Sequence, residues 1–335
     1  MRRIRLGFAS NVEVEFADRE QALSRVKDLA ERGMALPWVV YGPEGCGKTA
    51  WLRQSAELLR GLGFNVIYVN PLESSFMVEL GIAELKDRLM GMIREAAAQF
   101  NWGRVIWSII DVARTTIEVG MRRLAVIVDD AFQVIGTDKA AIYVKGLLGI
   151  LEHPPRPYER VIAIAATSEG MSLREIGRHL WSITMPIWNM GREGFRQLYD
   201  QIPGSKPDFE EVWKLTGGNP RILEMLYEVR WDVNRAIERL ILDKKLTGEF
   251  IRRWRRELGI ALNDPDYLWN EGPEELTNEL VDRNLIVFGI PNRDPTAWVD
   301  EPPPERDPEL GIGKYVAWQS PLHREAIRRA LEVLR

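Results

Sequence analysis

Residues 42–49 read Gly42-Pro43-Glu44-Gly45-Cys46-Gly47-Lys48-Thr49 and sit between a short apolar run and a helical pattern. Such a turn strongly restricts what the chain around it can become. Its glycines let the backbone wrap closely, so that successive N–H groups face inward, and the following helix adds the partial positive charge of its N-terminus. Lys48 is suited to neutralising outer phosphates, and the Thr49 hydroxyl to ligating magnesium. The flanks fit this reading. Leu36-Pro37-Trp38-Val39-Val40-Tyr41 predicts a strand, and Thr49 to Leu62, with Leu52, Ala56 and Leu59 on one side, predicts a helix that includes Ala50 in its first turn. A nucleoside triphosphate with its magnesium ion is the expected ligand of Gly42 to Ala50.

Further strands are predicted at Asn65 to Asn70, Leu124 to Asp129, Val161 to Thr167 and Ser182 to Pro186, separated by helical stretches; Glu20 to Arg32 predicts an amphipathic helix ahead of the first. This alternation predicts a parallel sheet with helices on both faces. After Pro186 the strand signals stop. Arg192 to about Leu258 reads as helices broken at 204–207 and 217–220, a candidate lid. Then Glu274 to Arg283 reads as a helix, Leu285 to Phe288 and Tyr315 to Trp318 as strands pairing across a long acidic, proline-rich loop, and a last helix runs from His323, together suggesting a winged helix. The expected domains are 1–188 for the nucleotide, 189–262 for the lid and 263–335 for the winged helix.

In a parallel sheet, ligands bind at the carboxyl ends of the strands. The run Leu124-Ala125-Val126-Ile127-Val128-Asp129-Asp130 brings two carboxylates there. Asp129 is assigned to magnesium, through a bound water, and Asp130 to polarising the attacking water. Thr167 and Ser168, at the end of another strand, are suited to sensing the γ-phosphate or that water. In the lid, Gly217-Gly218-Asn219-Pro220-Arg221 opens a helix with proline in its first turn. Pro220 is expected near the adenine, and Arg221 to report on the γ-phosphate.

Composition narrows the partners. The 335 residues carry a formal net charge of -4, which excludes a generally basic nucleic-acid or membrane-surface protein and leaves only local patches. Those are Arg252-Arg253-Trp254-Arg255-Arg256 and the tail from His323 to Arg329, whereas Glu271, Glu274, Glu275 and Glu279 crowd the helix that would enter a major groove. The wing is acidic too. A protein partner or self-association is therefore favoured over DNA. Cys46 is the single cysteine, so no intramolecular disulfide and no multi-cysteine zinc site is available; His153, His179 and His323 have no metal-ligand spacing. The basic N-terminus lacks an apolar segment behind it, and no run approaches the roughly 18 apolar residues of a spanning helix, which predicts a cytoplasmic protein with no membrane partner.

Taken in order, Phe16-Ala17-Asp18-Arg19-Glu20, GPEGCGKT, VIVDD, the strand ending Thr167-Ser168, and GGNPR resemble the archaeal ATPase family within the AAA+/STAND group of P-loop NTPases. The resemblance implies an ASCE-type sheet, an adenine bracketed by the Arg19-Glu20 box and the lid, and conformational switching driven by ATP. Three positions depart from the family pattern. Asp18 stands where the box usually has glycine. Asp130 replaces the common glutamate and, being one methylene shorter, predicts slow turnover. No arginine follows Thr167-Ser168, which leaves Arg174 and Arg178 as candidates for a finger. The leading expectation is a slow ATPase that couples nucleotide state to lid and winged-helix position. The alternatives are a DNA-linked AAA+ ATPase resembling initiators or helicase loaders, and a nucleotide-held scaffold with negligible hydrolysis.

Overall fold

A computed structural model describes residues 3–73, 75–99, 102–167 and 170–333. In chain order the strands are β1 (Arg5–Ala9), β2 (Val12–Glu15), β3 (Trp38–Tyr41), β4 (Asn65–Asn70), β5 (Ser75–Glu79), β6 (Arg123–Asp129), β7 (Arg160–Thr167), β8 (Ile183–Pro186), β9 (Ile286–Phe288) and β10 (Val316–Trp318). The helices of the first half are α1 (Glu20–Arg32), α2 (Lys48–Gly61), α3 (Ala83–Gln99), α4 (Trp102–Glu118), α5 (Phe132–Ile135), α6 (Ala140–Glu152) and α7 (Gly170–Gly177). Those of the second half are α8 (Arg192–Asp200), α9 (Phe209–Thr216), α10 (Pro220–Glu228), α11 (Val233–Asp243), α12 (Gly248–Arg253), α13 (Arg255–Asn263), α14 (Tyr267–Asn270), α15 (Glu274–Asp282) and α16 (Pro321–Val333).

The chain forms two units. The first holds residues up to Ile4, Glu20–Tyr41 and Lys48–Pro186; the second holds Arg5–Arg19, Gly42–Gly47 and Ile187–Arg335. Most of the phosphate loop thus packs with the second unit.

The first unit is a six-stranded sheet of order β5-β4-β6-β7-β3-β8. The apolar runs that predicted strands are the buried ones: Val66, Ile67, Tyr68 and Val69 in β4, Leu124 to Val128 in β6 and Val161 to Ala166 in β7 all lie in the core. Residues of one parity, such as Ile67, Val126 and Ala163, share a core with Leu89, Ile109 and Val144 from α3, α4 and α6. The opposite face meets α1 and α2. An unbroken apolar run is what a strand buried on both faces requires.

The expectation of a wholly parallel sheet needs one correction: β5 runs antiparallel to β4, with Val66 opposite Glu79 and Asn70 opposite Ser75. Only a short turn separates the two strands, too little chain for the crossover that parallel pairing demands. Among Phe76, Met77, Val78 and Glu79 only Val78 is buried, so the segment lacks the continuously buried apolar run of β4, β6 and β7.

The second unit contains three apolar clusters. One joins the hairpin β1–β2, through Phe8 and Val14, to Phe195, Leu198, Phe209 and Val212 of α8 and α9. The hairpin was not anticipated, because four- and five-residue strands with one buried side chain each leave little periodic signal. A second cluster runs from Ile222 of α10 through α11, α13 and α15 to β9, β10 and α16. The third gathers Trp188, Ile290, Trp298, Ile312 and Ala317, so the proline-rich connection between β9 and β10 carries buried anchors of its own. Antiparallel pairing sets Phe288 opposite Val316 and Ile286 opposite Trp318. The expected breaks at 204–207 and 217–220 fall between α8, α9 and α10. No described helix is long and apolar enough to cross a membrane.

Candidate functional site

In the first unit, the strand ladders bring four named positions to one edge of the sheet. Asp129 lies opposite Ala166, Tyr41 opposite Thr167, and Val69 opposite Val128, so Tyr41, Asn70, Asp129 and Thr167 end their strands at the same carboxyl edge. The strand bearing Thr167 lies between β3, which leads into the phosphate loop, and β6, which carries Asp129. Lys48, Asp129 and Thr167 are all buried. Ser168 lies outside the described residues.

The two oxygens of Asp129 differ in their hydrogen bonding. Its Oδ2 accepts from Asn70 Nδ2 at 3.0 Å and from the Tyr68 hydroxyl at 3.3 Å, while Oδ1 is buried without a hydrogen-bond partner. Burial, joined by the neighbouring Asp130 charge, pushes its pKa from the usual 3.8 up to about 7; Thr49, Asn70 and the Lys48 ammonium pull the other way. A buried acceptor with an unused lone pair is costly unless something fills it. An oxygen-only set of Asp129 and Thr49 suits a hard cation such as Mg2+, which takes few protein ligands and completes its shell from phosphates and water. No cluster of three or more His, Cys, Asp or Glu that could cage a metal occurs among the described residues.

The linkage has a definite sign. Because the folded-state pKa is raised, folded protein binds more protons than unfolded chain between about 3.8 and 7. The contribution of Asp129 to stability is therefore present at low pH and lost as pH rises through that window. Mg2+ held by Asp129 through a bound water would favour the ionised carboxylate, so Mg2+-dependent nucleotide affinity is expected to rise severalfold from pH 6 to pH 8, with proton release at the lower pH. Titration calorimetry in buffers of different ionisation enthalpy measures both; a pH-independent affinity with no proton release would contradict the assignment.

Asp130 follows in the left-handed region, with φ 48°, and its N–H donates to the Ala166 carbonyl at 3.1 Å. Aspartate is among the few non-glycine residues that enter this region readily. Asp18 and Arg19 are also left-handed, with φ 65° and 67°. That explains why glycine suits position 18 and why aspartate can replace it.

In the second unit, the phosphate loop is held by its carbonyls. The Glu44 carbonyl accepts from Asn219 Nδ2 at 2.9 Å, the Gly45 carbonyl from the Arg221 backbone N–H at 3.3 Å, and the Cys46 carbonyl from Arg19 Nη2 at 2.6 Å. No described peptide is cis, and in a trans peptide the N–H opposes the C=O. Drawing the Glu44 and Cys46 carbonyls aside turns the N–H groups of Gly45 and Gly47 the other way, as an anion needs, while the Cys46 N–H donates to the Pro43 carbonyl at 3.2 Å and closes the turn. Gly45 and Gly47 have φ of 75° and 97°, and a Cβ on Gly45 would meet Arg221 Cβ at 2.2 Å. Pro220 approaches Gly47, its Cγ 3.9 Å from where a Cβ would be, and Pro43 and Gly42 complete the turn, Gly42 against the Ile187 carbonyl.

Arg19 is buried, 3% exposed, and also donates to the Trp188 carbonyl at 2.8 Å and to Asp300 Oδ2 at 2.7 Å. Burial opposes its charge, but Asp300, together with Cys46 and Asp18, more than offsets this and the net shift of its pKa is upward. The Arg221 guanidinium is half-exposed and paired with Glu224 at 2.6 Å. Among the finger candidates, Arg178 pairs with Glu175 at 3.0 Å, and Arg174 lies in α7.

Sequence reasoning passed over Asn70, Tyr68, Asn189, Asn219, Asp300 and Gln319 as functional side chains. Asn219 carried a readable signal, since asparagine before proline is a strong N-cap, and its Oδ1 accepts from the N–H groups of Arg221 and Ile222. Asn70 ends a strand as Asp129 does. Asp300 and Gln319 gave no signal, because their partners are hundreds of residues away.

A glycine-rich loop leading from β3 into α2, with a buried acid at the same sheet edge, defines an α/β protein of the P-loop NTPase type. The model of a family described as an ATPase domain predominantly from Archaea matches residues 16–226, and the chain belongs to that family. No curated protein matches the sequence. Among solved structures, similar chains include ORC2 of Aeropyrum pernix in its ADPNP-ADP complexes, at 15% identity, TM-score 0.41, covering 93% of this chain and 94% of that one. AMPPCP-bound DnaA from Aquifex aeolicus aligns at 16% identity, TM-score 0.37, covering 76% and 69%. A mutant RuvB of Thermotoga maritima aligns at 14% identity, TM-score 0.39, covering 82% and 90%. With likenesses of this size, the fold assignment rests on the chain's own strand order and loop.

Proposed function

We propose that this protein binds ATP with Mg2+ and hydrolyses it slowly, using nucleotide state to switch the arrangement of the helical segment and of a winged-helix module formed by α15, β9, β10 and α16. The observation that carries the reading is the GPEGCGKT sequence together with the action of its last two residues, Lys48 and Thr49, on the buried, half-satisfied carboxylate of Asp129. In this reading Lys48 neutralises the outer phosphates, Thr49 and Asp129 hold the cation, and Arg19 shapes the loop. When bound, Mg2+ offsets phosphate charge. Asp130 orients the attacking water and takes its proton, Thr167 and Ser168 report on the γ-phosphate, and Arg221 exchanges Glu224 for phosphate when ATP arrives. A protein partner or self-association is favoured over DNA, because arginines of the basic runs are engaged within the chain: Arg253 with Glu275 and Glu279, and Arg328 with Glu325. The setting is cytoplasmic.

Amide hydrogen exchange with ADP, a non-hydrolysable ATP analogue and no nucleotide tests the switch. Protection is expected to differ between the nucleotides at 216–228 and 285–320; a change confined to 42–50 would reduce the protein to a nucleotide binder. Asp130→Asn removes the charge while keeping a residue that tolerates the left-handed conformation, so single-turnover hydrolysis is expected to fall roughly 100-fold or more with ATP affinity retained. An unchanged rate would remove Asp130 from the chemistry.

A further inference from the structure

The phosphate motif asks nothing of the Glu44 side chain, yet Glu44 is held at its N–H, its carbonyl and its carboxylate. Its N–H donates to Gln319 Oε1 at 2.7 Å, its carbonyl accepts from Asn219 Nδ2 at 2.9 Å, and its carboxylate pairs with Lys244. The bonds form a ring that closes through the Glu44 backbone. Asn219 Nδ2 also donates to Asn189 Oδ1 at 2.9 Å, and Asn189 Nδ2 donates to the Gln319 carbonyl at 3.0 Å. Gln319 Nε2 in turn donates to the Ile286 carbonyl of β9 at 3.2 Å, and Gln319 N to the Leu285 carbonyl at 3.0 Å. Asn189, Asn219 and Gln319 are all buried. A closed, satisfied amide network of this kind fixes geometry more than it adds stability, because each member has one arrangement that pairs every atom.

Gln319 immediately follows β10, so the ring ties the loop to the two-stranded sheet of the C-terminal segment. Glu44 N–H belongs to the peptide before the one whose carbonyl Asn219 holds, and both bonds end in the same ring. With the Cys46 N–H on the Pro43 carbonyl, the N–H groups of Gly45 and Gly47 are left to the opposite side. Gln319 shapes the loop without standing in the phosphate's place.

We propose that Gln319, with Asn189 and Asn219, is a positioning residue for the nucleotide: it makes the C-terminal sheet a structural part of the phosphate loop and links the seating of that sheet to nucleotide affinity. The proposal rests on the nucleotide reading of the loop. Linkage makes the coupling reciprocal, so a nucleotide that tightens the loop also tightens residues 285–320, and a partner that draws Gln319 away releases nucleotide.

The test compares Gln319→Met with Gln319→Glu in the full chain at pH 6; kept protonated by burial, the glutamic acid retains an acceptor for the Glu44 N–H and a donor for the Ile286 carbonyl. ATP and ADP dissociation constants are measured by titration, with the melting temperature recorded without nucleotide. Gln319→Met is expected to weaken both nucleotides about 10-fold while the unliganded melting temperature moves little, and Gln319→Glu to recover most of the loss. Unchanged affinity in Gln319→Met beside lost affinity in Lys48→Met would overturn the positioning role and leave the nucleotide reading standing. Unchanged affinity in both would mean that the nucleotide reading itself is wrong. A fall in affinity that tracks a fall in melting temperature, with no recovery in Gln319→Glu, would reduce Gln319 to a packing residue.

Discussion

Lys48→Met is expected to weaken ATP binding about 100-fold, close to 2.7 kcal/mol, which is the scale of removing one charge-assisted hydrogen bond in a partly desolvated site. Unliganded protein should be no less stable than wild type. Lys48 is buried, and the exchange replaces a desolvated ammonium by an apolar thioether of similar length. Nor does it strand Asp129. The Lys48 charge is one of the influences holding that carboxyl's pKa down, so its loss moves the pKa further above about 7 and the group takes up a proton. The signature is a large loss of affinity with an unchanged or raised melting temperature. Lost affinity accompanied by unfolding would instead mean that Lys48 holds the fold.

Arg19→Met should do the reverse, damaging stability first. The Arg19–Asp300 pair is almost wholly enclosed, with side-chain exposures of 3% and 6%. Deleting one member of a buried pair leaves an uncompensated charge and costs about 3–5 kcal/mol, whereas replacing both members by apolar residues is often close to neutral. The single variant is expected to melt roughly 10 °C below wild type, and the double variant Arg19→Met/Asp300→Leu to recover most of that. The Cys46 and Trp188 carbonyls also lose their donor in both variants, so recovery of melting temperature in the double should not bring full recovery of nucleotide affinity. A single variant that melts like wild type would show that the pair is open to water in solution.

How much of this was legible in the sequence depended on how local each feature is. Strands β3, β4, β6 and β7 could be read because a strand buried on both faces must be apolar throughout, and the phosphate loop because its conformation demands glycine at Gly45 and Gly47. The antiparallel strand β5 and the hairpin β1–β2 escaped, since each buries little and pairs at an edge or apart from the main sheet. Asp129 was found from the strand it ends. Its open Oδ1 was not, because that depends on Asn70 and Tyr68 from the neighbouring strand. The grip on Glu44 and Cys46 was the least legible part. Arg19, Asn189, Asn219, Asp300 and Gln319 are ordinary polar residues until the fold brings them to the same six-residue loop. The acidic, proline-rich connection between β9 and β10 looked like a solvated wing, and its buried Trp298, Val299 and Asp300 show that part of it is interior.

Steady-state ATP hydrolysis by the purified chain, with Mg2+, with and without duplex DNA at two salt concentrations, tests the central claim most directly. The expected result is slow turnover that disappears in Lys48→Met and is indifferent to DNA at either salt concentration. Turnover raised severalfold by DNA, and more so at low salt, would contradict the protein-switch reading in favour of a DNA-linked ATPase, and ATP binding without any turnover would contradict hydrolysis itself.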